Sequence, residues 1–214
     1  ELTAAAIPRA VIPHISQQNS YGLPEAMPLA KEVFSVKLYD ISRELFSTPV
    51  YPGDPIPKAE KISRILLGDS CNLSGFYTGS HGATHIDAPL HFMEGSAAID
   101  EIPLETFLGD CRVMTASGIL TGRDIDRLHV WPGERILFRG GAFLSKSAAF
   151  ALGEAGVCLV GTDQPSIAPE DDEEGPHIEL LSRGIPLLEG LYLDEVNDGR
   201  YTLCAMPLKL HGLE

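Results

Sequence analysis

SKSAAFALGEAGVCLVGTD, residues 145–163, reads as a helix that runs straight into a buried strand. Ala148, Ala149, Leu152 and Ala155 fall on one helical face, Ser145 or Ser147 can cap its start, and Gly156 ends it. The apolar run VCLVG then suits a strand. On either side, alternating or apolar runs at 35–45, 61–67, 111–117, 134–140, 190–196 and 201–208 predict further strands. A second helix or turn is expected over 178–184, closed by Gly184. Many strands and few helices make this a β-rich α/β chain. Residues 1–35 stand apart, with Pro8, Pro13, Pro24 and Pro28 and no sustained period. They read as a proline-rich arm that packs on the domain or on a neighbouring subunit, and residues 36–214 as the domain proper.

The 214 residues, 44% of them hydrophobic, suit one domain with a real core. Lys+Arg 16 against Asp+Glu 30 leaves a net charge of -14. That charge repels polyphosphate and disfavours nucleic acid or an anionic membrane surface, which points to a small-molecule substrate. Cys71, Cys111, Cys158 and Cys204 are far apart and form no C-x-x-C pair, so thiolate-type structural zinc is excluded. No apolar run approaches the roughly 18–20 residues needed to cross a bilayer, and a cytoplasmic, reducing location is the expectation.

The chemistry is concentrated in SHGATHIDAPLHF, residues 80–92. His81, His85, Asp87 and His91 place four good divalent-metal ligands within eleven residues, all at odd positions. Gly82 and Pro89 disfavour a continuous helix, and an extended segment would turn all four side chains to one face. A lone histidine is more often a satisfied core or surface residue; here the cluster carries the inference. Neutral imidazole paired with carboxylate suits zinc or manganese, and the lack of thiolates argues for a site with an open position for water.

These residues resemble the cyclase-like metal hydrolases that include bacterial kynurenine formamidase, in which a H-x-G-T-H-x-D-x-P-x-H motif binds metal. Successive landmarks match in order: DIS at 40–42, YPGDP at 51–55, HGATHIDAPLHF at 81–92, GVCLVGTDQPSI at 156–167, a histidine at 177, GIPLLEGL at 184–191 and AMPLKLHGL at 205–213. The resemblance spans roughly residues 36 to 213. It implies that His81, His85 and Asp87 hold one metal, that Asp87 and Glu189 bridge to a second metal also bound by His177, and that His91 is the general acid and base. Zinc or manganese, two ions per subunit, is the implied cofactor. The implied fold is a swivelling β/β/α-type single domain with a mixed sheet or barrel-like core, and the implied assembly a homodimer or higher homo-oligomer. By local pattern alone, His177 would be an exposed loop histidine and Glu189 a surface glutamate at a strand start. Two departures stand out. The glycine of H-x-G-T-H is replaced by Ala83, a small residue with which the loop should survive, and Tyr51 stands where the formamidases usually carry a tryptophan at the substrate site.

The implied activity is hydrolysis of N-formylkynurenine to kynurenine and formate. Two other readings remain open at this point. One is a related hydrolase that opens a cyclic amide such as isatin, or a lactone. The other is a non-catalytic metal-binding protein, against which the retention of His91 speaks. Of the aromatic residues near the expected site loops, Phe46, Phe76, Tyr77 and Phe92 read as core, and only Tyr51 as a substrate contact. Asp163, between a buried strand and a proline, is expected to hydrogen-bond behind the site.

Overall fold

The computed structural model describes Val11–His14 and residues 37–214. Apart from Val11–His14, the arm expected over 1–35 lies outside the described residues. Twelve strands follow in order: β1 (Val11–His14), β2 (Lys37–Asp40), β3 (Lys58–Ser63), β4 (Leu73–Tyr77), β5 (His85–Asp87), β6 (Leu108–Thr115), β7 (Gly118–Leu120), β8 (Arg135–Arg139), β9 (Ala142–Leu144), β10 (Leu159–Thr162), β11 (Leu187–Glu189) and β12 (Gly199–Cys204). The helices are α1 (Gly122–Arg127), α2 (Lys146–Ala155) and α3 (Glu174–Leu181).

Among the described residues eight strands form one mixed sheet in the order β2-β1-β12-β6-β8-β10-β11-β5. The inner run β6-β8-β10-β11 is parallel, whereas β5 joins its edge antiparallel to β11. This satisfies the expectation of a mixed sheet. Alternation along the central strands builds two cores. Leu137, Leu159 and Leu188 face one side, with Val113, Phe107 and Leu203. Ile136, Phe138, Val160 and Leu187 face the other and are covered by Ala148, Ala149 and Leu152 of α2 and Leu180 and Leu181 of α3. Both faces are therefore dry, and β10 is buried along its whole length, as its apolar sequence requires.

Helix α2 forms as the sequence predicts. The Ser145 hydroxyl accepts from the Ala148 amide at 3.3 Å, and Gly156 closes the helix in the left-handed region at φ 74. Three expectations need correction. The run 61–67 splits into the end of β3 and a 3-10 turn, Ile65–Leu67, closed by Gly68. The strand expected over 190–196 is absent: β11 ends at Glu189 because Gly190 adopts φ 65, and the chain then hands its amides elsewhere, Leu191 to Thr162 of β10 and Tyr192 to Ile41 just after β2. The motif 80–92 is extended only over His85–Asp87, and a 3-10 turn, Pro89–His91, follows. Among the described residues no helix is long and apolar enough to cross a membrane.

Candidate metal centre

The edge pairing of β5 with β11 sets Glu189 opposite His85 and Leu187 opposite Asp87. Period-two alternation then aims His85, Asp87 and Glu189 at one face of the sheet. His81 arrives from the turn before β5, and His177 from the first half of α3, where it is buried rather than exposed in a loop. Glu189 is likewise buried, and it ends a strand rather than starting one.

The structure thus brings together five residues singled out from the sequence. Asp87 Oδ1 lies 2.9 Å from His81 Nδ1 and 3.3 Å from His85 Nε2. Asp87 Oδ2 lies 3.6 Å from His177 Nε2, which is 3.3 Å from Glu189 Oε1; Glu189 Oε2 is 3.5 Å from His85 Nε2. Two overlapping donor groups result, His81/His85/Asp87 and Asp87/His177/Glu189, sharing Asp87. Donors about 2.0–2.2 Å from one tetrahedral zinc stand roughly 3.3 Å apart, the spacing seen here. A second observation agrees: among the described residues, buried Asp87 Oδ2 and His81 Nε2 have no hydrogen-bond partner. Leaving such groups bare is costly, and a cation among the donors would satisfy Asp87 Oδ2. The donor set fits a divalent metal.

The remaining ring nitrogens are fixed from outside. His85 Nδ1 donates to the Ala83 carbonyl at 3.1 Å and His177 Nδ1 to the Glu173 carbonyl at 2.6 Å, which leaves each Nε2 facing the carboxylates. Glu189 Oε1 accepts the Ile167 amide at 2.6 Å. Burial lowers the pKa of His85 and of His177, but hydrogen bonds to Asp87 and Glu189 outweigh it and raise both to about 10. Burial raises that of Asp87, yet the close His177, His81 and His85 imidazoles hold it well below the usual carboxylate range. A metal ion held by these residues would displace protons from the imidazoles.

His91 lies beside the donors without joining either group. Its ring stacks on His81 at 3.8 Å, and burial lowers its pKa below the ordinary imidazole value. Tyr51 is half-buried near Glu173, Glu170 and Glu189; burial first, then these carboxylates, push its pKa up to about 12. The Asp163 carboxylate accepts the Gly140 and Gly141 amides at 2.6 and 3.2 Å, which fixes that turn. Two contacts escaped the sequence analysis. Phe92 stacks on His177 at 4.5 Å and meets His91 edge-on, and Ser80 donates to Glu214 at 2.5 Å, whose Oε1 stands 3.8 Å from His81 Nε2. No spacing rule marks either; for Phe92 the only signal was its place in the motif.

Two backbone positions carry the loop. Ala83 has φ 56, in the region where an L-residue costs roughly 1–2 kcal/mol, at the place where the motif usually has glycine. Ala83→Gly is therefore expected to raise Tm by roughly 2–4 °C, about 1 kcal/mol after the entropy of glycine is subtracted, with metal content unchanged. A fall in Tm on thermal unfolding would mean that Ala83 makes contacts worth more than its strain. Gly190, at φ 65, packs directly on the Ala83 carbonyl, which a Cβ would overlap. Gly190→Ala should cost about 1–2 kcal/mol in backbone strain alone and displace the loop bearing His81 and His85. Calorimetry and metal analysis should show a lower Tm together with lost metal; a variant with both unchanged would refute this packing role.

Fold and donor set define a mixed α/β protein with a divalent-metal centre at its edge strand. The family model described as "Putative cyclase" matches residues 39–169, and the chain belongs to that family. Over 194 residues it is 37% identical to "Kynurenine formamidase" of Salinibacter ruber (strain DSM 13855 / M31), a match covering 82% of this chain and 92% of that one. Among solved structures it resembles "The Structure Of Potential Metal-Dependent Hydrolase With Cyclase Activity", with TM-score 0.67, 30% identity and coverage of 81% and 90%. It also shares the fold of isatin hydrolase A from Labrenzia aggregata, with TM-score 0.71, 20% identity and coverage of 82% and 88%.

Proposed function

We propose that this protein is a metal-dependent amide hydrolase that converts N-formylkynurenine and water to kynurenine and formate. The observation that carries the reading is the buried donor set with Asp87 at its centre, in a chain 37% identical to a kynurenine formamidase. His81, His85 and Asp87 would hold one ion, and Asp87, His177 and Glu189 a second, with Glu189 close enough to His85 to bridge. Zinc or manganese suits these donors. Such ions supply an acidified water and a polarised carbonyl.

The protein's own groups do the rest. His91, neutral at working pH because burial lowers its pKa, takes a proton from the attacking water and returns it to the aryl amine as the C–N bond breaks. Tyr51, which lies near Glu173 and Glu189, would flank the aryl ring at the mouth of the site. All four cysteines are free, which supports work in a reducing cytoplasm. The assembly is a homo-oligomer.

The test is formate release from N-formylkynurenine by protein with its native metal content, repeated after chelation and after return of Zn2+ or Mn2+. Turnover that follows the metal supports the proposal. Opening of isatin or a lactone with N-formylkynurenine untouched would keep the site and replace the substrate. No hydrolysis of any of them with metal still bound would leave a metal-binding protein.

A further inference from the structure

The three histidines of the donor groups differ in what stands behind them. His85 and His177 turn Nε2 to the carboxylates and give Nδ1 to a backbone carbonyl, that of Ala83 and that of Glu173. His81 is reversed: its Nδ1 lies 2.9 Å from Asp87 Oδ1, and its buried Nε2 has no hydrogen-bond partner among the described residues. What faces that nitrogen is a carboxylate, with Glu214 Oε1 at 3.8 Å. The carboxylate is held in place from two sides. Ser80 donates its hydroxyl to Oε1, and the residues before Glu214 are fastened to the 3-10 turn Ile99–Glu101. There the Leu213 carbonyl accepts the Ile99 amide at 2.9 Å, Asp100 Oδ1 accepts the Gly212 amide at 3.2 Å, and Asp100 Oδ2 lies 2.9 Å from His211 Nδ1.

We infer that Glu214 is the outer partner of His81, a positioning residue that accepts the proton of Nε2 and so turns Nδ1 toward the metal. The tautomer explains the spacing. With Nδ1 bonded to Asp87, a neutral His81 carries its proton there, and its bare Nε2 meets the Glu214 carboxylate lone pair to lone pair. The separation is accordingly roughly 1 Å longer than a hydrogen bond. Once Nδ1 is given to an ion, His81 keeps its proton on Nε2, and the same contact becomes an N–H donating to a carboxylate, a charge-assisted bond. The Glu214 side chain is 34% exposed, which leaves it room to close the gap. A carboxylate in this place fixes the ring and raises its basicity toward the ion. The ring so fixed is also the one on which His91 stacks at 3.8 Å, so Glu214 sets the floor beneath the acid–base group.

The role of Glu214 rests on the metal centre proposed above but not on the substrate, and its test needs no turnover. Titration of the full chain with Zn2+ against a chromophoric chelator should show affinity about 10–100-fold weaker in Glu214→Leu, the usual cost of losing an outer partner, with Tm in chelator unchanged. Glu214→Gln keeps an acceptor and should bind Zn2+ more tightly than Glu214→Leu. In the Zn2+-loaded wild type, the Nε2 proton of His81 should give an NMR signal shifted downfield by its hydrogen bond, and Glu214→Leu should abolish that shift. Wild-type affinity in Glu214→Leu, a glutamine variant as weak as the leucine one, a Tm in chelator that falls with the affinity, or an unmoved His81 signal would each overturn the inference. A wild-type chain that binds no Zn2+ would refute the metal centre itself and this role with it, whereas binding undiminished in the variants would refute the role alone.

Discussion

Replacing His91 by alanine is expected to lower kcat on N-formylkynurenine by roughly 10²–10⁴-fold, the contribution of a positioned acid–base side chain, while leaving the metal content unchanged. The separation of the two effects follows from geometry. His91 sits on the turn Pro89–His91, outside both donor groups, and touches them only through its stack on His81 at 3.8 Å and its edge contact with Phe92 at 4.5 Å. Half-buried in this aromatic set, it has a pKa below the ordinary imidazole value, so at neutral pH it is the acceptor form. Truncation leaves a small gap beside His81 but removes no donor. Metal analysis alongside steady-state kinetics separates the roles. Loss of activity with full metal content is the expected result, whereas loss of metal in proportion to activity would make His91 a ligand and leave the proton step to another group. The same variant should unfold within a few degrees of wild type, because a half-buried imidazole carries little of the core.

What the sequence made legible was whatever depends on neighbours in the chain. Ligands spaced within 81–91 announce themselves because metal chemistry needs those side chains and the strand period brings His85 and Asp87 to one face. The cap at Ser145 and the stop at Gly156 are equally local. His177 and Glu189 are different in kind: they reach Asp87 through the β11–β5 pairing and the start of α3, contacts made about a hundred residues away along the chain, so local pattern left them as surface residues and only the family resemblance retrieved them. Strand 190–196 failed for a comparable reason. Its alternation is real, but the positive φ at Gly190 that ends β11 is set by the approach of the Ala83 loop, a tertiary demand. Residues 61–67 show the reverse error, since alternation there reads as a half-buried strand although the outward face is bare in the single chain.

Asp87→Asn is expected to abolish turnover and to reduce affinity for divalent metal by more than about 100-fold, beyond what loss of a supporting outer contact brings. Asparagine keeps the shape of the side chain, so the change isolates charge. Asp87 is 1% exposed, and its two oxygens face three imidazoles, with Oδ1 toward His81 and His85 and Oδ2 toward His177. It is the member common to both donor groups, and its substitution therefore weakens two sites where Glu189→Gln would chiefly weaken one. The metal-free protein should suffer too. Removing one partner of a buried, hydrogen-bonded charge cluster costs about 3–5 kcal/mol because the remaining charges are left uncompensated, and for a domain of this size each kcal/mol lowers Tm by roughly 2–4 °C. Calorimetry in chelator should therefore show a fall well beyond that of the His91 variant, and titration with Zn2+ should no longer recover it. Metal retention by Asp87→Asn equal to that of the wild type would remove Asp87 from the centre of the site and with it the shared-ligand arrangement on which the proposed chemistry rests.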